Sequence, residues 1–229
     1  MKLYIAPRAP NPRRVLMFIA EKLAAGTAAA ASPQGGQVGS GRPGADLAAI
    51  ELVAVDLNAG EHRSEGFRAR SPLAKVPVLE LDDGRALGES RAICTYLEGL
   101  APEPNLMGRD AEERAFIEMA DRRAEWYLML GFALAIRHTH PGLAPLEQPQ
   151  FPDFGRAQGE KVREVARWFD AELSRHPFIA GERFTIADIT AFCAIEFARG
   201  LLKFRPGDEG MPHLAAWRDR VAARPSASA

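Results

Sequence analysis

The first apolar positions alternate. Lys2-Leu3-Tyr4-Ile5-Ala6 predicts a short strand. Asn11-Pro12 then predicts a helix start, with Asn as N-cap and Pro as first helical residue. Val15, Phe18, Ile19 and Leu23 follow at helical spacing, and the pattern stops at Ala25-Gly26. Residues 50–57 (IELVAVDL) alternate as a second strand. Residues 76–81 and the short run Arg85-Ala86-Leu87 flank Asp83-Gly84, a hairpin signal. Glu89-Ser90 begins a helix carrying Ile93, Cys94, Leu97 and Leu100 on one face. Strand, helix, three strands and helix predict a mixed sheet with helices packed on it.

Pro102-Glu103-Pro104 breaks the last of these helices and marks a linker. The periodicity beyond it is helical at 110–137, about 154–175, 186–203 and 212–223. A Pro-rich irregular segment, 137–155, separates the first two. Thr185 with Asp188 three residues on has the spacing of a capping box, a folding device. The expected domains are therefore 1–101, a linker at 102–107, and an all-helical 108–229.

Composition and charge refine this picture. Residues 26–44 (GTAAAASPQGGQVGSGRPG) are a low-complexity run with too few large apolar side chains to bury a core face, so a flexible surface insertion is expected. The net charge of -1 leaves no global basic field for nucleic acid. The longest apolar stretch, Trp126 to Ile136, is well short of the roughly 20 residues of a membrane span. Early prolines and arginines leave no apolar leader core. The two cysteines, Cys94 and Cys193, lie in helical patterns away from any CxxC or His/Cys cluster. They predict core thiols in a reducing, cytoplasmic setting, with neither disulfide framework nor metal site.

The chemistry concentrates in 75–90. A proline entering a strand cannot donate to the ladder and belongs at its start. With Val76-Pro77 cis, the backbone of Val76 turns outward and can pair with an extended peptide as an added strand. Glu89-Ser90 lies where a helix begins, and free N–H groups with partial positive charge there suit a ligand carboxylate. Ser90 would add a hydroxyl, and Glu89 would accept from an ammonium. In isolation the pair reads first as an N-cap.

Together, Lys75-Val76-Pro77, Asp83-Gly84, Glu89-Ser90-Arg91-Ala92-Ile93 and Tyr96-Leu97 resemble the glutathione site of the glutathione transferase family. Gly60-Glu61-His62-Arg63-Ser64 with Phe67, and Phe178 to Ile189, resemble further segments of it. The likeness spans the chain apart from 26–44. It implies a thioredoxin-like α/β first domain, an all-α second domain, a cytoplasmic homodimer, and glutathione as co-substrate with a small electrophile. It implies Val76 beside cis-Pro77 pairing with the cysteinyl unit, and Glu89 and Ser90 holding the γ-glutamyl end. His62, Arg63 and Lys75 would approach the glycyl carboxylate. The electrophile would lie against the first long helix, with Trp126, Tyr127, Met129, Leu130 and Phe132 as candidate wall.

The pattern fails at one point. A thiol has a pKa near 8.5, and lowering it by two units takes about 2.7 kcal/mol. Where much of the family places Tyr, Ser or Cys to donate to the sulfur, this chain has Ala9, as in an atypical microbial subgroup. The substitutes are Asn11, an amide donor or a plain cap, and His138 and His140, a base or water holder or an ordinary cationic helix end. Tyr4 is expected in the core. The alternative is a non-catalytic binding or scaffold module of the same fold. A thiol–disulfide reductase needs a cysteine near position 9, which is missing.

Overall fold

The computed structural model describes residues 1–30 and 46–229, with backbone alone for 25–30. Most of the expected 26–44 insertion lies outside the described residues. The chain divides into two compact units, Met1–Leu106 with Ser228–Ala229, and Met107–Ala227.

In the first unit β1 (Lys2–Ile5) leads to α1 (Pro10–Ala30), β2 (Glu51–Ala54), α2 (Glu65–Arg68), β3 (Val78–Glu80), β4 (Ala86–Leu87) and α3 (Ser90–Leu100). The sheet order is β2-β1-β3-β4, with β1 parallel to β2 and the other pairs antiparallel. A parallel neighbour needs a crossover, and α1 supplies it. The Asp83-Gly84 turn closes β3 on β4, with Gly84 at φ 84. Leu3, Val15, Phe18, Leu79, Ile93 and Leu97 are wholly buried where α1 and α3 meet the sheet. This is the thioredoxin-like α/β arrangement. The side chain of Lys22 on α1 is buried too. It pairs with Glu98 of α3 and donates to the carbonyl of Pro104 at 2.7 Å, which ties the chain after α3 back onto α1.

Three local expectations are corrected, and one element is added. Helix α1 starts at Pro10, so Asn11 is its second residue and not its cap; it also runs past Gly26 to Ala30. Strand β2 is an edge strand limited to Glu51–Ala54, the four residues opposite β1, and Leu52 stays exposed. Residues 61–68 fold into a single 3-10 turn (Glu61–Arg63) and the four-residue α2, capped by Ser64. Periodicity cannot report so short an element.

The second unit is all helical: α4 (Ala111–Arg123), a π-helical stretch Ala124–Met129, α5 (Leu130–Thr139), α6 (Pro152–Leu173), α7 (Ile186–Leu201) and α8 (Pro212–Ala222). The first three form one continuous rod. Helix α7 is the centre, apolar and buried on nearly every side. Its N-terminus carries the capping box: Asp188 accepts from the Thr185 amide at 2.9 Å while the Thr185 hydroxyl accepts from the helix. Asp188 also accepts from Ile179 N–H and from Trp217 Nε1, each at 2.9 Å. Both cysteines are buried and unpaired with each other. Among the described residues no helix is long and apolar enough to cross a membrane.

Candidate functional site

The site is built at one corner of the first unit. Strand β1 pairs with β3 in the register Tyr4–Val78 and Leu3–Leu79. Continued by two residues, that register sets Val76 beside Ala6, where the chain leaves β1 for the Pro7–Ala9 turn and α1. The Val76-Pro77 bond is cis. Ser71 Oγ accepts from the Lys75 amide and donates to the Lys75 carbonyl, both at 2.9 Å, which pins the turn ahead of it. The Val76 side chain packs on Val55, Phe67 and Val78. Its amide and carbonyl have no hydrogen-bond partner among the described residues. They are one free rung of a ladder.

Helix α3 opens at the same corner. Arg14 of α1, wholly buried, donates from Nη1 to Ser90 Oγ at 3.0 Å. This fastens the first turns of α1 to the start of α3 and leaves the Ser90 hydroxyl proton to donate elsewhere. Ahead of it, Glu89 holds φ 59 and ψ 112, the left-handed half of backbone space, and makes no side-chain cap bond. Its carboxylate is exposed and has no partner among the described residues. A non-glycine residue kept there at the head of a helix is the kind of strained position that marks functional sites.

His62, on the 3-10 turn, is 7% exposed, and its Nδ1 has no partner among the described residues. Burial, then the charges of Arg63, Lys75 and Arg68, holds its pKa below the usual range, so it is neutral at pH 7. Arg63 and Lys75 are exposed beside it. The result is a cationic patch around a neutral imidazole, suited to a carboxylate.

The thiol-activation candidates separate. Tyr4 donates its hydroxyl to Glu80 at 3.1 Å and packs edge-on against Phe67, a core role. Ala9 offers only its backbone, and its N–H goes to Ala6 O. Asn11 is exposed in the first turn of α1 between Pro10 and Pro12. Those prolines have no N–H, so Asn11 supplies that end's unspent donors, its backbone N–H and its amide.

His138 and His140 belong to the second unit. His138 is buried, accepts from Phe151 N–H at Nδ1 (3.1 Å) and lies against the rings of Phe151 and Phe154. His140 Nδ1 accepts from Gly142 N–H at 3.1 Å and caps the turn after α5. With Nδ1 accepting, each neutral ring carries its proton on Nε2, and that of His138 lies 3.9 Å from Glu147 Oε1. Of the apolar residues on the long rod, Trp126, Tyr127 and Leu130 are exposed, while Met129 and Phe132 are core. The rings of Phe132 and Phe204 lie 4.8 Å apart, tilted by 49°. Tyr127 also lines a cavity of about 340 Å³ with Arg123, Val165, Trp168 and Phe169.

Two features escaped sequence reasoning. The Arg14–Ser90 bond joins residues 76 apart and leaves no periodic trace. The strain at Glu89 lies in the backbone, and its only outward signal is a carboxylate where a small capping residue is usual.

Comparison with known proteins bears on the family and the fold. The family model "Glutathione S-transferase, N-terminal domain" matches residues 45–105, and "Glutathione S-transferase, C-terminal domain" matches 138–225. Glutathione S-transferase 2 of Saccharomyces cerevisiae is 33% identical over 99% of this chain and 87% of its own. The crystal structure of Gtt2 from Saccharomyces cerevisiae superimposes with a TM-score of 0.84 at 32% identity, covering 100% of this chain and 99% of that one. A glutathione S-transferase domain-containing protein of Marinobacter aquaeolei VT8 superimposes with a TM-score of 0.83 at 40% identity, covering 99% of both chains. On this likeness, which takes in both units, the chain belongs to the glutathione S-transferase family.

Proposed function

We propose that the chain binds glutathione at the corner of its first unit and transfers it to a small, mostly apolar electrophile. The observation that carries this is the unpaired backbone of Val76 beside cis-Pro77, next to a free carboxylate and a helix start at Glu89-Ser90. Glutathione has two carboxylates, one ammonium and a peptide backbone. Val76 pairs with the cysteinyl backbone. Ser90 and the α3 N-terminus receive the γ-glutamyl carboxylate, and Glu89 the ammonium. Arg63 and Lys75 receive the glycyl carboxylate over neutral His62.

In the reaction the thiol loses its proton, sulfur attacks the electrophilic carbon, and the carbon–sulfur bond forms as the leaving group departs with its electron pair. The thiolate has to be favoured without a side-chain donor at Ala9. Asn11 donates to it, and the thiol proton leaves to solvent; His138 and His140, whose Nδ1 atoms accept backbone N–H groups, carry the ring proton on Nε2 and are candidates for holding a water, not for the base. A cytoplasmic homodimer is part of this reading. A non-catalytic binding module is the second reading, and the missing donor at Ala9 is what favours it.

Retention on immobilised glutathione tests the site. Wild type should be retained and eluted by free glutathione, while Glu89→Ala/Ser90→Ala should flow through. Equal behaviour of the two proteins refutes the assignment. Turnover of an activated aryl halide, measured beside it, separates the transferase from the binding module.

A further inference from the structure

We propose that Arg8 is a catalytic residue whose guanidinium meets the sulfur of bound glutathione and holds it as the thiolate. This rests on the glutathione site proposed above and adds a residue to it. Among the described residues four non-glycine positions have φ above zero: Arg8 (68), Ala74 (54), Glu89 (59) and Lys203 (55). The first three lie on the three loops that bound the site: the turn after β1, the turn before Val76-Pro77, and the head of α3.

A Cβ-bearing residue is disfavoured in this region, and glycine occupies it without penalty. Asn and Asp are the usual exceptions because their short polar side chains bond the local backbone. Arg has no such compensation. A strained residue of this type at a ligand-facing turn points to use of its side chain.

The surroundings of Arg8 agree. It is exposed and makes no hydrogen bond or ion pair among the described residues. It directly precedes Ala9, the position without a donor. The β1–β3 register brings its turn beside Val76, where the cysteinyl unit would pair. The Arg14–Ser90 bond holds the start of α1 against the start of α3 at the same corner.

The helix end is itself a weak anion site here. Pro10 and Pro12 have no N–H, and the Arg13 N–H is taken by Ala9 O at 3.2 Å. Asn11 is left, and a fixed positive charge completes the set. Arg stays protonated at all working pH, so it takes no proton from the thiol. The thiol proton leaves to solvent, sulfur keeps the electron pair, and the guanidinium pairs with the anion in a charge-assisted bond.

The test is ultraviolet difference titration of the thiol of bound glutathione in wild type, Arg8→Gly, Arg8→Gln and Arg8→Lys. Binding of S-methylglutathione, which has no ionisable sulfur, is measured by calorimetry on the same proteins. The thiol should titrate at least one pH unit higher in Arg8→Gly and Arg8→Gln than in wild type, a tenfold loss of thiolate near neutral pH. Arg8→Lys should recover part of that shift, and S-methylglutathione should bind all four alike. The thermal midpoint of Arg8→Gly should equal or exceed that of wild type, since glycine suits the turn.

An unchanged thiol pKa in both uncharged variants overturns the role of Arg8. A loss of S-methylglutathione binding matching the pKa change also overturns it, by showing that Arg8 holds a carboxylate. No saturable glutathione signal in wild type overturns the site itself, and this role with it.

Discussion

Ser90→Ala tests the junction between fold and site. Ser90 is buried and its hydroxyl accepts from a wholly buried arginine at 3.0 Å. Hydrogen bonds to charged groups contribute about 1.5–3 kcal/mol, and an acceptor lost from a buried cation is felt at full strength. Arg14 has further interactions, so the guanidinium is not stranded and the expected loss is about 2 kcal/mol. At 2–4 °C per kcal/mol for a chain of this size, the melting midpoint falls by roughly 4–8 °C. In the proposed binding mode the same hydroxyl donates to the γ-glutamyl carboxylate, so the dissociation constant for glutathione should rise on the order of 10- to 100-fold. Ser90→Thr keeps the hydroxyl and should restore most of both. Urea unfolding and calorimetric titration on the three proteins supply the numbers. A Ser90→Ala protein within 0.5 kcal/mol of wild type that binds glutathione normally refutes both roles (a threshold of about half the typical net hydrogen bond).

Three further outcomes follow from the geometry. Glu89→Gly relieves a left-handed backbone that costs about 1–3 kcal/mol. It should leave stability unchanged or raised in urea unfolding while weakening glutathione binding at least tenfold, about 1.4 kcal/mol. Burial pushes the Asp188 carboxyl up from 3.8 to about 6 despite four hydrogen bonds to it. The folded state therefore holds this proton more tightly than the unfolded chain. The contribution is complete below 3.8 and lost as pH rises through about 6, so the stability gap between wild type and Asp188→Asn should widen as pH falls from 7 to 5, and a constant gap contradicts it. His138→Ala removes the acceptor of Phe151 N–H from a ring packed between two phenylalanines. It should cost about 1–3 kcal/mol of stability. A variant with full stability and abolished turnover would make His138 catalytic and not structural.

What the sequence disclosed divides by range of interaction. The hairpin at Asp83-Gly84, the start of α3, the four-helix pattern of the second unit and the Thr185–Asp188 box are local, and local chemistry reports them. The start of α1 differs from the expected Asn11-Pro12. In Ala9-Pro10-Asn11-Pro12 both prolines suit a first turn, and the structure takes Pro10. The π-helical stretch at Ala124–Met129 cannot be told from 3.6-residue spacing over so few residues. Arg14 is absent from the sequence reading, yet it is wholly buried because its partner Ser90 lies on α3. The candidate binding residues stand out in the sequence because their spacing matches a known pattern. The candidate activating residues do not, because Ala9 removes the residue that would announce them.

The central claim is that Val76 offers a free rung to the peptide of glutathione. Amide hydrogen exchange at Val76, followed by nuclear magnetic resonance with and without saturating glutathione, tests it directly. The account predicts a fast-exchanging Val76 amide in the free protein, protected by about 100-fold or more on binding as the amide enters a ladder worth about 3 kcal/mol locally. A Val76 amide that exchanges at the same rate in both states contradicts it.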